Sequence, residues 1–211
     1  MADAALSAFT TLFVTIDPLG LAPIFLALTA GMNRDQRRQT GHRATLTAFA
    51  VLVVFALAGG AILALFGITM AAFRIAGGLL LFVIAFEMIF EKRQERQERS
   101  AQRAITSEEV RNIATFPLAI PLIAGPGAIS ASILLSGAPG GAGGRALLIG
   151  LIAVVILITW LVFMAAERIE RILGDTGRIV LTRLLGLLLA ALAVQFVGDG
   201  VLAFIPARTA I

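Results

Sequence analysis

Six stretches of more than twenty predominantly apolar residues follow one another along the chain: Ala4–Ala30, Ala44–Phe66, Ile68–Phe90, Ile113–Ser136, Ala146–Ala166 and Leu184–Ile205. One helical crossing of a bilayer needs about 20 such residues. In hydrocarbon, only helices and closed barrels satisfy their own backbone groups. Six stretches of this length therefore predict an all-α polytopic membrane protein with six transmembrane helices. Composition agrees, with 59% hydrophobic and 14% charged residues in 211. A soluble domain has about 45–50% and about 25%. This balance excludes a soluble enzyme, a disordered regulator and a disulfide scaffold. The chain has no Cys, so thiol chemistry and Cys-based metal sites are excluded as well. Met1-Ala2-Asp3 lacks the basic region of a secretory signal, so the first stretch is expected to be a retained crossing. The third stretch contains Arg74 and Glu87, expected to snorkel toward opposite headgroup layers.

Basic residues set the orientation. Fourteen of the 17 Lys and Arg fall in one set of connections: Arg34 to Arg43, Lys92 to Arg111 and Arg168 to Arg183. The opposite side holds Arg74, Arg145 and Arg208. The rich side is expected to be cytoplasmic and both termini periplasmic. The same asymmetry accounts for the net charge of +4 without a nucleic-acid partner. The chain divides into a first three-helix unit (1–90), a charged cytoplasmic linker (91–112) and a second three-helix unit (113–211). The linker, EKRQERQERSAQRAITSEEVRN, mixes signs and has no apolar stripe. It is expected to be a solvated helical extension of the third crossing followed by a linker. The Gly-rich stretch Ser136–Gly144 reads as a flexible connector.

Five of the seven prolines sit in two crossings only: Pro18 and Pro23 in the first, Pro117, Pro121 and Pro126 in the fourth. Proline removes a backbone donor and clashes with the preceding turn. Glycines flank it in Asp17-Pro18-Leu19-Gly20 and in Gly125-Pro126-Gly127. Both helices are expected to break near the midplane. Pro18 and Pro23 bracket four residues, as do Pro121 and Pro126, at an offset of 103 positions. Arg74 and Gly77 match Arg183 and Gly186 at an offset of 109. These matches predict two three-helix repeats. Three crossings per repeat make the second copy inverted, the pattern of transporters with discontinuous helices.

Each half-helix beyond a break starts with free N–H groups and the positive end of its dipole. Two such ends make a site for a carboxylate. The candidate substrate-binding residues are Asp17, Pro18, Gly20, Gly125, Pro126, Gly127, Ser130 and Gln195. Gly20, Gly125 and Gly127 let backbone approach a ligand. Asp17, at a depth where a carboxylate is costly, faces an ammonium or caps the second half-helix. Ser130 and Ser132 add hydroxyls or bond back to their own helix. Gln195 lies mid-helix on the sixth crossing, four residues from Asp199. No nucleophile–base pair, metal cluster or cofactor motif is present in the sequence. Catalysis, metals and cofactors are therefore not expected.

DPLGLAPIF at 17–25, RIAGG at 74–78, PLAIPLIAGPGAI at 117–129 and RLLGLLLAALAVQFVGDG at 183–200 resemble the MarC family of bacterial inner-membrane proteins. The resemblance covers essentially the whole chain. It implies a six-helix transporter with pseudo-twofold repeats in the bacterial inner membrane, and some relatives carry small neutral amino acids. Many relatives have Asn where this chain has Asp17, which implies a polar ligand or cap at that place rather than an essential proton relay. The resulting expectation is a secondary transporter of glycine- or alanine-like zwitterions, working by alternating access. A coupling proton or sodium ion and a homo-oligomeric state stay open. So do two other classes, a passive channel or non-specific small-solute exporter and a non-transporting membrane organiser.

Overall fold

The computed structural model describes residues 2–106, 114–137 and 141–209. No strand occurs among them. The helices are α1 (Ala2–Ile16), α2 (Pro18–Leu28), α3 (Arg34–Leu65), α4 (Met70–Ile89) and α5 (Lys92–Thr106). After a wide, proline-rich coil at Ala114–Ile123 come α6 (Pro126–Ser136), α7 (Gly141–Met164) and α8 (Ala166–Thr209). Five spans are long and apolar enough to cross a membrane, and six if the bent pair Ala114–Ile123 and Pro126–Ser136 counts as one. Residues 107–112 of the linker, the first residue of the fourth stretch and residues 138–140 of the Gly-rich connector lie outside the described residues.

Helix boundaries follow local chemistry. α3 starts ten residues before its apolar stretch because Asn33 and Gln36 form a reciprocal capping box, at 2.9 and 3.0 Å. Thr69 caps α4 through the Ala72 N–H at 3.1 Å. α8 starts well before Leu184 and bends at Gly174, whose φ is 56°. That backbone is nearly free for glycine alone.

The strongest packing runs between the two halves of the chain, not within either. α1 and α2 lie against α7 and α8, while the proline-rich coil and α6 lie against α3, and α6 also against α4. α4 and α8 make the most extensive pairing. A Cβ on Gly78 would stand 2.9 Å from the Ala193 carbonyl oxygen. One on Gly186 would stand 3.1 Å from Ala85 O, and one on Gly200 3.1 Å from Ala71 O. Numbers rise on one helix as they fall on the other, so the pair is antiparallel. Small residues let membrane helices approach until their backbones touch.

The first crossing is the most enclosed span, with Leu12, Ile16, Leu21 and Phe25 fully buried. Phe25 stacks on Phe163 with centroids 4.3 Å apart. Leu46, Val54 and Leu57 of α3, Phe82 and Phe86 of α4 and Leu184 and Leu188 of α8 are exposed. An apolar exterior this extensive is the mark of a surface in contact with lipid. The buried hydroxyls of Thr11, Thr15, Thr29, Thr45, Ser132 and Thr159 each donate to the carbonyl four residues back. They therefore need no water.

One expectation changes. The charged stretch after α4 is a separate helix, not a solvated extension of it. Glu91 takes a left-handed conformation (φ 63°) and turns the chain. α5 then packs against α2, α4 and the proline-rich coil, with Arg93 and Gln97 buried. Arg96 holds Glu87 at 2.9 Å. Glu87 thus ends in an ion pair with α5.

Candidate functional site

The first interruption is a single residue. Asp17 has φ 56° and ψ 63°, between the last turn of α1 and the first of α2. Among non-glycine residues, Asp and Asn visit this region most readily, because a short polar side chain can bond locally. Asp17 Oδ1 accepts from the Gly20 N–H at 3.1 Å. Pro18 occupies the first helical position, where no N–H is missed. A side chain at Gly20 would meet Asp17 Oδ2 at 2.3 Å and displace the cap. Both halves of the break are thus stitched together by the DPLG sequence itself. The carbonyl of Thr15, in the last turn of α1, accepts from Arg93 Nη2. A cation at a helix C-terminus is favourably placed for the dipole.

This geometry makes a prediction. Asp17→Asn retains both the left-handed preference and the acceptor. Asp17→Ala loses a cap worth about 1 kcal/mol and adds about 1–2 kcal/mol of left-handed strain. In detergent, Asp17→Ala is expected to melt about 4–10 °C below the parent, and Asp17→Asn close to it. Equal melting of all three proteins would contradict the cap.

The second interruption is wider. Phe116 and Ile120 are extended, as residues before proline tend to be. The coil meets α6 at an angle of 58°. Gly125 precedes α6 and offers no side-chain cap. A Cβ there would stand 2.6 Å from Pro121 O. At Gly127 a Cβ would stand 2.3 Å from Ile84 Cδ1 and 3.0 Å from Thr15 Cγ2. The uncapped tip of α6 therefore lies directly against the last turn of α1, two residues before Asp17. The two interruptions meet.

They differ in one respect that decides their chemistry. The tip of α2 is closed by Asp17, whereas the tip of α6 is closed by no side chain. A cavity of about 310 Å³ opens at this second tip, bounded by Thr15, Ile84, Arg93, Gln97 and residues 125–128. A smaller one of about 210 Å³ lies on the Asp17 side, between α5 and Arg178 and Thr182 of α8. Arg93 borders both. It is 6% exposed. A larger cavity, about 680 Å³, is a mostly apolar groove between α3 and α7 bordered by His42 and Trp160, away from Asp17 and Gly125.

Asp17, Gly125, Pro126 and Gly127 border these two cavities, and Pro18 and Gly20 form the cap beside them. Ser130 is half-buried one turn into α6 and borders neither cavity. Ser132 bonds back to Ala128 O at 2.9 Å. Gln195 is exposed and borders neither cavity. Arg93 and Gln97 were not among the expected site residues. Their one sequence signal is a spacing of four within a polar helix, which puts them on one face.

These features define an integral membrane protein of several apolar helices, with a cavity bordered by Thr15, Arg93, Gln97 and the start of α6. The description MarC family integral membrane protein matches residues 2–205, and the chain belongs to that family. A UPF0056 membrane protein of Archaeoglobus fulgidus is 41% identical, covering 92% of this chain and 90% of its own. UPF0056 membrane protein YvbG of Bacillus subtilis is 37% identical over 95% of each chain. UPF0056 membrane protein YhcE of Escherichia coli is 36% identical over 94% of this chain and 92% of its own. No solved structure matches the chain.

Proposed function

We propose that this chain is a secondary transporter of small neutral amino acids of glycine or alanine size. It carries them across the bacterial inner membrane by alternating access. The carrying observation is the contact of Gly127, at the uncapped tip of α6, with the last turn of α1 beside a cavity of about 310 Å³. At about 30 Å³ per water molecule, that volume corresponds to about ten waters, room for a solute of a few heavy atoms. Free N–H groups at a helix tip favour a carboxylate. An uncharged net ligand limits the cost of entering a low-dielectric site.

The packing supports two inverted repeats. Each interrupted crossing touches the middle and last crossings of the other half, and the middle and last crossings touch their counterparts. Exchange of the two halves leaves this contact pattern unchanged, as a pseudo-twofold axis requires. Two units joined by so many mutual contacts can rock against each other around a shared site. The basic side is the cytoplasmic one and both termini are periplasmic. On this reading, a C-terminal tag in spheroplasts reacts with an impermeant reagent, and a protected tag overturns the orientation.

Proteoliposomes test the function. Saturable uptake of labelled glycine or alanine, competed by the unlabelled compound, is the expected result. Linear, non-competable flux would mean a channel or unspecific exporter. No flux of any solute would mean a membrane organiser. Proton and sodium gradients imposed in turn identify the coupling ion.

A further inference from the structure

Among the described residues, Arg93 and Gln97 border the α6 cavity, and each carries one buried side-chain atom without a hydrogen-bond partner, Nε and Oε1. Their residues are 6% and 7% exposed. A buried donor or acceptor left unmade is costly, so a fold that keeps two of opposite kind at one cavity has a reason to. They stand four residues apart on α5, hence on one face. One carries a full positive charge and a free N–H. The other is a free carbonyl oxygen. Beside them lies the start of α6, whose Gly127 and Ala128 border the same space and which no side chain caps.

We propose that Arg93 and Gln97, with the tip of α6, form a zwitterion-recognition site. The guanidinium and the first N–H groups of α6 receive a carboxylate, and Gln97 Oε1 accepts from an ammonium. The inference rests on the transporter reading and assigns its specificity to α5. Carboxylates pair well with guanidinium at short, charge-assisted distances. Arg93 Nη2 is already held by the Thr15 carbonyl. Nη1 donates to Met88 Sδ at 3.6 Å, so the guanidinium is fixed against the end of α1 and Nε is its one nitrogen without a partner. Asp17 borders the smaller cavity on the other side of Arg93. It balances the charge without entering the ligand's space. Motion of α5 would then carry half of the recognition groups with it, coupling occupancy to the state of the basic side.

The test is competition against labelled alanine in proteoliposomes. Alaninamide keeps the ammonium and lacks the carboxylate; propionate keeps the carboxylate and lacks the ammonium. The parent protein is expected to prefer alanine over each analogue by at least about tenfold, since a site built to hydrogen-bond a group rejects ligands lacking it. Arg93→Gln is expected to raise KM for alanine about tenfold or more and to abolish the preference over alaninamide. Gln97→Leu is expected to abolish the preference over propionate. A purely structural latch would weaken all three compounds alike. Unchanged preferences in folded variants, or no preference in the parent, overturn the proposal. If either variant fails to fold, Arg93→Lys, which keeps the charge without the Nε–H, and Gln97→Met, which keeps the length without the acceptor, take its place, and an unchanged KM with unchanged preferences overturns the proposal. Saturable alanine uptake with unaltered preferences sinks this site and spares the transporter. Absence of any alanine uptake by the parent sinks both.

Discussion

Gly127→Leu is expected to abolish amino-acid uptake while leaving a folded, monodisperse protein. The first carbon of any side chain at this position lies 2.3 Å from Ile84 Cδ1 and 3.0 Å from Thr15 Cγ2. The rest of a leucine must project into the space where α6 begins. The neighbours are side-chain tips, not backbone, so the fold can yield by local repacking. The cavity cannot survive unchanged. Displacement of a recognition group by about 1 Å can cost about a hundredfold in a positioned step. We expect at least that loss of uptake at fixed substrate concentration. Gly127→Ala is expected to retain part of the activity, because Ile84 can turn away from a single methyl. Uptake by Gly127→Leu equal to the parent would remove this position from the site.

Gly78→Val is expected to have the largest effect on stability. Its Cβ would stand 2.8 Å from Val197 Cγ2, 2.9 Å from Ala193 O and 3.0 Å from Val197 N. Two of these three are backbone atoms of α8 and cannot rotate away. Helices α4 and α8 would have to separate along their most extensive contact. Overpacking of a close contact costs about 1–3 kcal/mol, and parting backbones adds lost dispersion on both sides. A fall in apparent melting temperature of about 5–10 °C follows, or failure to fold. Gly60 on α3 provides the control, since nothing lies within 4 Å of a Cβ there. Gly60→Ala is expected to be neutral. Similar melting of Gly78→Val and Gly60→Ala would refute the close approach of α4 and α8.

The spans were legible because each apolar stretch is long and almost free of charge. Pro and Gly coincide at DPLG and GPG, and there Asp17 and Gly125 take non-helical backbone conformations. The difference between these two places was not legible. Whether a helix tip is open depends on the conformation of the residue before it, and only the left-handed Asp17 turns its carboxylate back onto Gly20 N–H. Gln195 lies apart from both cavities for a different reason. The inward face of α8 is set by Gly186, Ala193 and Gly200, seven residues apart, where α4 comes close. Gln195 follows Ala193 by two, so it points about 200° away from that face. The docking of α5 was not legible because its burial involves two polar side chains, Arg93 and Gln97, and hydrophobic periodicity carries no trace of them. Its ion pair Arg99–Glu95 is exposed and contributes little by itself.

A structure determined with alanine at saturating concentration tests the central claim most directly. The account predicts one alanine in the cavity bordered by Thr15, Arg93, Gln97 and Gly127, its carboxylate toward the start of α6 and Arg93. Ligand bound elsewhere with this cavity empty would contradict it. So would first and fourth crossings running as uninterrupted rods in close contact.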